Sequence, residues 1–191
     1  YSELVMTSQF LAGVDEVGRG CLAGPVISVA IILKDTIDRS LMIDSKKLTA
    51  PRRVKLANYI LDNSRSIGVG ESNNYEIDEV NIHNATLISM KRALINLDLK
   101  PDMAYIDGIY KPNIDISSKC FIKGDSLIPE ISAASIIAKV LRDNIMMRLD
   151  KMLPVYGFSR HKGYGTKEHM YAIELFGPSV YHRFSFAPLK N

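Results

Sequence analysis

The chain has few cysteines and no long apolar run, and these two deficits exclude several classes of protein. Its only two cysteines, Cys21 and Cys120, are far apart and do not have C-x-x-C spacing. This argues against a zinc ribbon or a disulfide-stapled fold and fits a reducing compartment. The longest mostly apolar run, Val26–Leu33, is far shorter than the roughly 18 residues that cross a bilayer. Since no basic cluster precedes an apolar run near residue 1, we expect a cytoplasmic protein without membrane contact.

Several familiar catalytic signatures are also missing. The glycine-rich segment 13–20 lacks the G-K-[ST] ending of a P-loop and the spacing of a dinucleotide-binding fingerprint. Neither H-E-x-x-H nor G-x-S-x-G occurs in the sequence, and the four histidines are not spaced as a metal-binding set. The sequence therefore argues against P-loop, dinucleotide-dependent, zinc-peptidase and serine-hydrolase chemistry.

The composition is that of an ordinary globular domain. Hydrophobic residues make up 47% of the 191 residues and charged residues 24%. A chain of this length buries about 70% of its extended surface on folding, so one large domain with at most a small appendage is expected. The net charge is only +3, with a basic excess in residues 139–168. That excess indicates either a polyanionic partner or a solvated helix face.

Hydrophobic periodicity predicts strands early in the chain and helices later. We expect strands at residues 10–15, 26–33, 66–69, 103–106 and 120–122, the first two forming a hairpin. We expect helices at residues 49–63, with Thr49 as the N-cap, and at 82–97, 129–153 and 167–176. This order predicts an α/β fold with a mixed β-sheet flanked by helices and a helical C-terminal part.

A polar stripe follows one face of the predicted helix 129–153. Ser132, Ser135, Lys139 and Arg142 are three or four residues apart and therefore share a face, separate from the apolar stripe. Near a helix N-terminus such a stripe suits phosphate groups, since the free N–H groups there already favour anions. Alternatively, the small residues permit close helix packing and Lys139 is solvated.

Carboxylates follow three of the predicted strands. Asp15 and Glu16 come after an apolar run, Asp107 follows residues 103–106, and Asp125 follows a short hydrophobic piece. Clustered carboxylates repel one another unless divalent cations such as Mg²⁺ or Mn²⁺ lie among them. If the three strands are neighbours, metal-assisted attack on a phosphodiester is the expected chemistry. Each acid alone is more typical of a turn or a helix N-cap, so only their joint placement indicates a metal site.

Asp15 and Glu16 are adjacent, and this raises a geometric question. Neighbouring side chains on a regular strand point to opposite faces. Both residues reach one cleft only if the backbone bends, which the following Gly18 would permit, or if one of them contributes its carbonyl oxygen. Both alternatives are open at the level of the sequence.

Seven motifs, in order and at similar spacing, together resemble the bacterial ribonuclease HII (type 2 ribonuclease H) family. They are G-V-D-E-V-G-R-G at 13–20, D-S-K-K-L at 44–48, Y-I-D-G at 105–108, K-G-D-S at 123–126, I-S-A-A-S at 131–135, H-K-G-Y-G at 161–165 and H-R-F-S-F at 182–186. The resemblance implies an RNase H-like catalytic domain at residues 1–153 and a C-terminal helical extension at 154–191 packed on it. It also implies an endoribonuclease that cleaves the RNA strand of RNA–DNA hybrids and single ribonucleotides embedded in duplex DNA, leaving 3′-hydroxyl and 5′-phosphate ends.

The resemblance further implies which residues form the site. The family's metal-binding and catalytic acids correspond to Asp15, Glu16, Asp107 and Asp125, which would hold two Mn²⁺ or Mg²⁺ ions. The substrate-binding positions correspond to Gly18, Arg19, Gly20, Tyr164, Ser45, Lys46, Ser132, Ser135 and Lys139. The glycines would let main-chain groups reach the 2′-hydroxyl, while Arg19 contacts a phosphate and Tyr164 packs on the sugar. A monomer is expected.

Two other functions are compatible with parts of the sequence. One is a metal-free ribonuclease in which histidines deprotonate the 2′-hydroxyl, and the other is a noncatalytic module that binds duplexes through the basic residues. The acids at strand ends favour the metal-dependent enzyme over the metal-free ribonuclease, whereas the effect of Asp107→Asn on cleavage would distinguish it from the binding module. His161 and the pair His182–Arg183 lie in the C-terminal extension, where we expect a structural role with Phe184 and Phe186 as core anchors.

Overall fold

The computed structural model describes residues 9–43 and 48–190. Its strands are β1 Leu11–Val17, β2 Val26–Leu33, β3 Ser64–Ser72, β4 Met103–Asp107 and β5 Ser118–Phe121. Its helices are α1 Ser40–Ile43, α2 Ala50–Asp62, α3 Asn74–Ile95, α4 Pro129–Met152, α5 Phe158–His161 and α6 Lys167–Phe176, with 3₁₀ turns at Gly124–Ser126 and Pro154–Tyr156. Ser45 and Lys46, two of the residues predicted to bind substrate, lie outside the described residues.

The five strands form one mixed sheet in the order β3-β2-β1-β4-β5. β1 and β2 form the expected antiparallel hairpin, and β3 pairs antiparallel with β2. On the other side, β4 runs parallel to β1, and β5 runs parallel to β4. The predicted α/β fold with a mixed sheet flanked by helices is confirmed.

Helices cover both faces of the sheet, which explains why every residue of β2 is buried. Alternate residues of β2 serve different faces. Val29 and Ile31 pack in a cluster with residues of α2 and α4, including Ile60 and Ala134. Ile32, on the opposite face, packs in a second cluster with residues of α3. The candidate site lies at one edge of this sheet, whose two faces are both covered by helices.

The elements whose boundaries differ most from those predicted are α3 and β3. Helix α3 begins at Asn74 rather than at residue 82, because Asn73 and Glu76 form a capping box ahead of a kink at Asn81. Strand β3 extends beyond the predicted 66–69 at both ends, since its antiparallel pairing with β2 continues to Ser64 and Ser72. Both differences arise from contacts that hydrophobic periodicity does not report.

The C-terminal segment packs on α4 and on the loop that follows β1. Tyr156 and Phe158 form a buried cluster with Met146 of α4 and Ala23 of the loop. Phe186 is partly buried, whereas Phe184 is 47% exposed and the expectation that it anchors the core is wrong. The division of the chain at residue 153 stays a prediction. None of the described helices is both long and apolar enough to cross a membrane.

Candidate active site

The carboxylates gather at one edge of the sheet because β1, β4 and β5 are neighbours. Val14 of β1 pairs with Ile106 of β4, so the next residues along the two parallel strands are Asp15 and Asp107. The 3₁₀ turn that carries Asp125 follows β5 at the same edge. The three strands are therefore neighbours, which meets the condition that the sequence pattern set for a shared acidic site.

Asp15 is buried against α4, with only 4% of its surface exposed. Its carboxylate hydrogen-bonds the Ser135 hydroxyl and accepts a 2.8 Å hydrogen bond from the Glu16 backbone N–H. Burial raises the pKa of Asp15 well above its usual value, and the charges of Glu16 and Asp107 raise it further. Asp15 therefore carries its negative charge at neutral pH only at a free-energy cost.

Glu16 faces the opposite side of the sheet, as strand alternation requires, because β1 stays regular to Val17. Together with Arg19, His83 and Asp107 it lines a groove of ≈ 390 Å³ between the sheet edge and α3. Its Oε1 atom lies 3.6 Å from Nη1 of Arg19, while its Oε2 atom is buried and has no hydrogen-bond partner among the described residues. Burial raises the pKa of Glu16, the Asp107 charge adds to this, and Arg19 opposes it.

Asp107 and Asp125 are brought together by the turn after β5. The backbone N–H of Gly124 donates a 2.7 Å hydrogen bond to Oδ1 of Asp107. A Cβ atom at position 124 would lie 3.4 Å from the same oxygen, so the turn approaches the end of β4 closely. Asp125 is the next residue, and its Oδ1 lies 3.4 Å from the Ser126 hydroxyl. The Gly124 bond thus orients Asp107 and places the backbone of Asp125 beside it.

These four acids fit a hard divalent cation in their chemistry and charge. Carboxylate oxygens are the ligands that Mg²⁺ and Mn²⁺ prefer, and a cation would relieve both the mutual repulsion and the unpartnered oxygen of Glu16. Within residues 9–43 and 48–190, however, no three His, Cys, Asp or Glu side chains converge as a complete ligand set. The donors are therefore adjacent along the edge of the sheet but are not aligned on one point.

Tyr164 lies against the loop at residues 18–25, which follows the strand that carries Asp15 and Glu16. Gly18 is buried, whereas Arg19 and Gly20 are exposed. Cys21 forms an antiparallel bridge with Tyr164, which is 41% exposed. The structure thus brings together the loop and the tyrosine that the family resemblance assigns to sugar recognition, although they are far apart in the sequence.

The polar stripe on α4 divides among three environments. Ser135 reaches Asp15, as described above. Ser132 is fully buried, and its hydroxyl donates a 2.6 Å hydrogen bond to the Met42 carbonyl. Lys139 pairs with Asp143 through a 2.7 Å contact. Contacts of this stripe with substrate phosphates stay predictions.

Two arginines of structural importance lie at this site, and the sequence predicted a structural role for only one of them, Arg183. Arg142 is fully buried, although its position in the stripe suggested a basic surface. Arg183 is also fully buried, and both guanidinium groups donate to carbonyl oxygens of the loop at residues 18–25. The H-R-F-S-F motif was the available signal for Arg183, but backbone acceptors leave no pattern in a sequence.

Comparisons with known proteins agree with this arrangement. The ribonuclease HII family model matches residues 12–188. A ribonuclease HII of Pseudothermotoga lettingae is 50% identical over 177 residues, which cover 93% of this chain and 77% of the relative. One of Pelagibacter ubique is 47% identical over 184 residues, which cover 96% and 98%. The ribonuclease H2 structure from Pyrococcus horikoshii superposes with a TM-score of 0.80 at 25% identity, covering 94% of both chains. The chain therefore belongs to the ribonuclease HII family, whose members are hydrolytic endonucleases that cleave RNA in RNA–DNA hybrids.

Proposed function

We propose that this enzyme also cleaves at single ribonucleotides embedded in duplex DNA, by two-metal-ion hydrolysis that leaves 3′-hydroxyl and 5′-phosphate ends. The observation that carries the proposal is the position of the exposed Arg19–Gly20 backbone and of Tyr164 beside a row of carboxylates. A recognition surface next to the acids suits a substrate whose one distinguishing group is a 2′-hydroxyl. The cytoplasmic location and the monomeric state stay predictions.

In this proposal Asp15, Glu16, Asp107 and Asp125 hold Mg²⁺ or Mn²⁺. Two such ions, when bound, activate the attacking water and stabilise the charge on the leaving 3′ oxygen. The Gly124 N–H holds one oxygen of Asp107 in place, and Ser135 orients Asp15. Because Glu16 points to the other face of β1, it contributes either its unpartnered Oε2 atom or its main-chain carbonyl.

The substrate contacts follow from exposure and charge. The main chain at Arg19 and Gly20 is open to a sugar, and a Cβ atom at Gly20 would have no neighbour within 4 Å. The Arg19 side chain would exchange its 3.6 Å contact with Glu16 for a phosphate. The family resemblance further assigns backbone-phosphate contacts to Ser45, Lys46, Ser132, Ser135 and Lys139, of which Ser132 is fully buried and donates its hydroxyl to the Met42 carbonyl.

The decisive assay uses duplex DNA with one ribonucleotide, with EDTA or with added Mg²⁺ or Mn²⁺. We expect no cleavage with EDTA, recovery with either ion, and products with 3′-hydroxyl and 5′-phosphate ends. Asp107→Asn should abolish cleavage and largely retain duplex binding, while Asp115→Asn, which alters an exposed acid, should cleave normally. A 2′,3′-cyclic phosphate or full activity in EDTA would support the histidine mechanism. Undiminished cleavage by Asp107→Asn would remove this residue from the metal site.

A further inference from the structure

Two fully buried guanidinium groups hold the loop at residues 18–25 from within the fold. Arg142 donates to the carbonyl oxygens of Ala23 and Pro25 at 3.0 and 2.9 Å, and to that of Lys162 at 2.8 Å. Arg183 holds the part of the loop nearer the carboxylates. Burying a cation is costly unless its N–H groups are satisfied, and here backbone carbonyls satisfy them. Such an arrangement restrains the loop backbone strongly.

Arg183 acts on the peptide groups of the proposed sugar-recognition turn. Its Nη2 atom donates to the Gly18 carbonyl at 2.6 Å, and its Nη1 atom donates to the Arg19 carbonyl at 2.9 Å. Further bonds from Nε and Nη2 to the Gly24 carbonyl, at 3.0 and 2.8 Å, fix the guanidinium plane itself. The planar fork of arginine matches this set of acceptors, and a lysine ammonium does not.

The orientation of those carbonyls determines the orientation of the neighbouring N–H groups. In a trans peptide the C=O and the following N–H point in opposite directions. Since the carbonyls of Gly18 and Arg19 point inward to Arg183, the N–H groups of Arg19 and Gly20 point away from it, at residues that are exposed. Two main-chain donors are thus directed outward in a defined orientation.

We infer that Arg183 is a positioning residue for recognition of the ribose 2′-hydroxyl: it touches no substrate but fixes the direction of the Arg19 and Gly20 N–H donors. The inference rests on the proposed function, in which this turn contacts the sugar. It assigns part of the specificity for ribonucleotides to a residue of the C-terminal segment. Arg142 holds the same loop but binds neither of the two carbonyls that orient the donors.

The test measures binding without cleavage, in proteins that carry Asp107→Asn. Fluorescence anisotropy gives the Kd for duplex DNA with one ribonucleotide and for an all-deoxy duplex of the same sequence. The parent should prefer the ribonucleotide duplex on the order of 10-fold, the effect of one or two net hydrogen bonds. Arg183→Lys should reduce this ratio to near 1 and leave the Kd of the all-deoxy duplex nearly unchanged. Thermal unfolding of each variant is measured in parallel.

Arg142→Lys is the matched control, because it also removes a buried fork bound to carbonyls of the loop. Arg142→Lys should lower the thermal midpoint about as much as Arg183→Lys does, and it should retain the parent's preference for the ribonucleotide duplex. If Arg183→Lys does not fold, Arg183→Gln takes its place, because it retains two N–H donors without the buried charge. Arg183→Gln should also lose the preference for the ribonucleotide duplex. Loss of the ratio in Arg142→Lys as well would mean that discrimination follows general stability, which overturns the inference.

The parent measurement separates this inference from the proposed function. If the parent binds both duplexes equally, the turn does not recognise the sugar. That result would contradict both the proposed function of the turn and the inference about Arg183. If the parent prefers the ribonucleotide duplex and the Arg183→Lys variant shows the same preference, only the positioning role of Arg183 is contradicted.

Discussion

Asp15 and Glu16 are acids in a strand whose other residues are apolar or glycine, and their surroundings explain both their cost and their use. Burial and the neighbouring charges of Glu16 and Asp107 raise the pKa of Asp15, so the folded state binds a proton there more tightly than the unfolded state does. The free energy of unfolding therefore falls as the pH rises from 3.8, the pKa of this group in the unfolded chain, towards its higher pKa in the folded state. At neutral pH the concentrated negative charge of the site therefore lowers the stability of the fold.

Asp15→Asn should consequently stabilise the protein in EDTA at pH 7.5 while abolishing cleavage. We expect the free energy of unfolding to rise by about 1 kcal/mol, measured by chemical denaturation. The gain should disappear below pH 3.8, where the carboxyl group is protonated even in the unfolded chain. Added Mg²⁺ should raise the thermal midpoint of the parent more than that of the variant. A variant less stable than the parent at pH 7.5 would contradict the repulsion described here, and Asp115→Asn provides the control.

The two glycines of the turn should respond differently to alanine. Gly18 has a φ of +95°, and a Cβ atom there would lie 2.1 Å from Nε of Arg142, so Gly18→Ala should destabilise the fold by about 2 kcal/mol or more. A Cβ atom at Gly20 meets nothing within 4 Å, so Gly20→Ala should keep its thermal midpoint. Gly20→Ala should nevertheless cleave a lone ribonucleotide more slowly, because the methyl group hinders approach of the sugar. An unchanged cleavage rate would remove Gly20 from sugar recognition.

At the scale of elements, the N-termini of α2 and α3 show which features of a helix start a local sequence pattern predicts. Thr49 and Pro51 predicted the start of α2 correctly, since α2 begins at Ala50, but the Thr49 side chain makes no capping hydrogen bond within the described residues. Asn73, which periodicity did not single out, caps α3 by accepting a 2.9 Å hydrogen bond from the Glu76 N–H. The residue type indicates a cap, whereas the side-chain rotamer and the path of the chain decide whether the bond forms.

This difference gives a paired expectation for stability. Asn73→Ala should lower the free energy of unfolding by about 1 kcal/mol, because the N–H of Glu76 loses its acceptor. Thr49→Ala should change it by less than about 0.5 kcal/mol, since no capping bond is removed. Urea denaturation of the two variants measures both values. Equal losses in the two variants would show that the Asn73 cap has no special weight.

At the scale of the whole molecule, the C-terminal segment supports the proposed sugar-recognition residue Tyr164 through neutral histidines. The Ser179 N–H donates to Nδ1 of His182, so Nε2 of His182 carries the proton and donates to Nε2 of His169 at 3.0 Å. Nδ1 of His169 then donates to the Tyr164 carbonyl at 2.9 Å. The chain of donors orders Tyr164 only while both rings are uncharged.

Acid should therefore destabilise the protein through these rings. Burial lowers the pKa of His182 to about 4, and burial also lowers the pKa of His169. A depressed histidine pKa means that protonation favours the unfolded chain, so this stabilisation is complete above pH 6.5 and is lost as pH falls towards about 4. Between pH 7.5 and 5.0, the stability advantage of the parent over His182→Gln should shrink by about 2 kcal/mol. An advantage that stays constant with pH would contradict this account, and effects of Asp15 cancel in the comparison.

The sequence by itself determined the order of strands and helices, the acids at strand ends and the family, because hydrophobic period and motif spacing are properties of single segments. Only the tertiary structure decided that Asp15 lies beside Asp107 while Glu16 faces the other side, since this depends on the register of β1 and β4. It also decided that Arg142 is an interior residue rather than part of a basic surface, and which groups the buried Arg183 binds. Their partners are carbonyl oxygens, which every residue carries, so only the folding of distant segments against one another selects which of them a buried arginine binds.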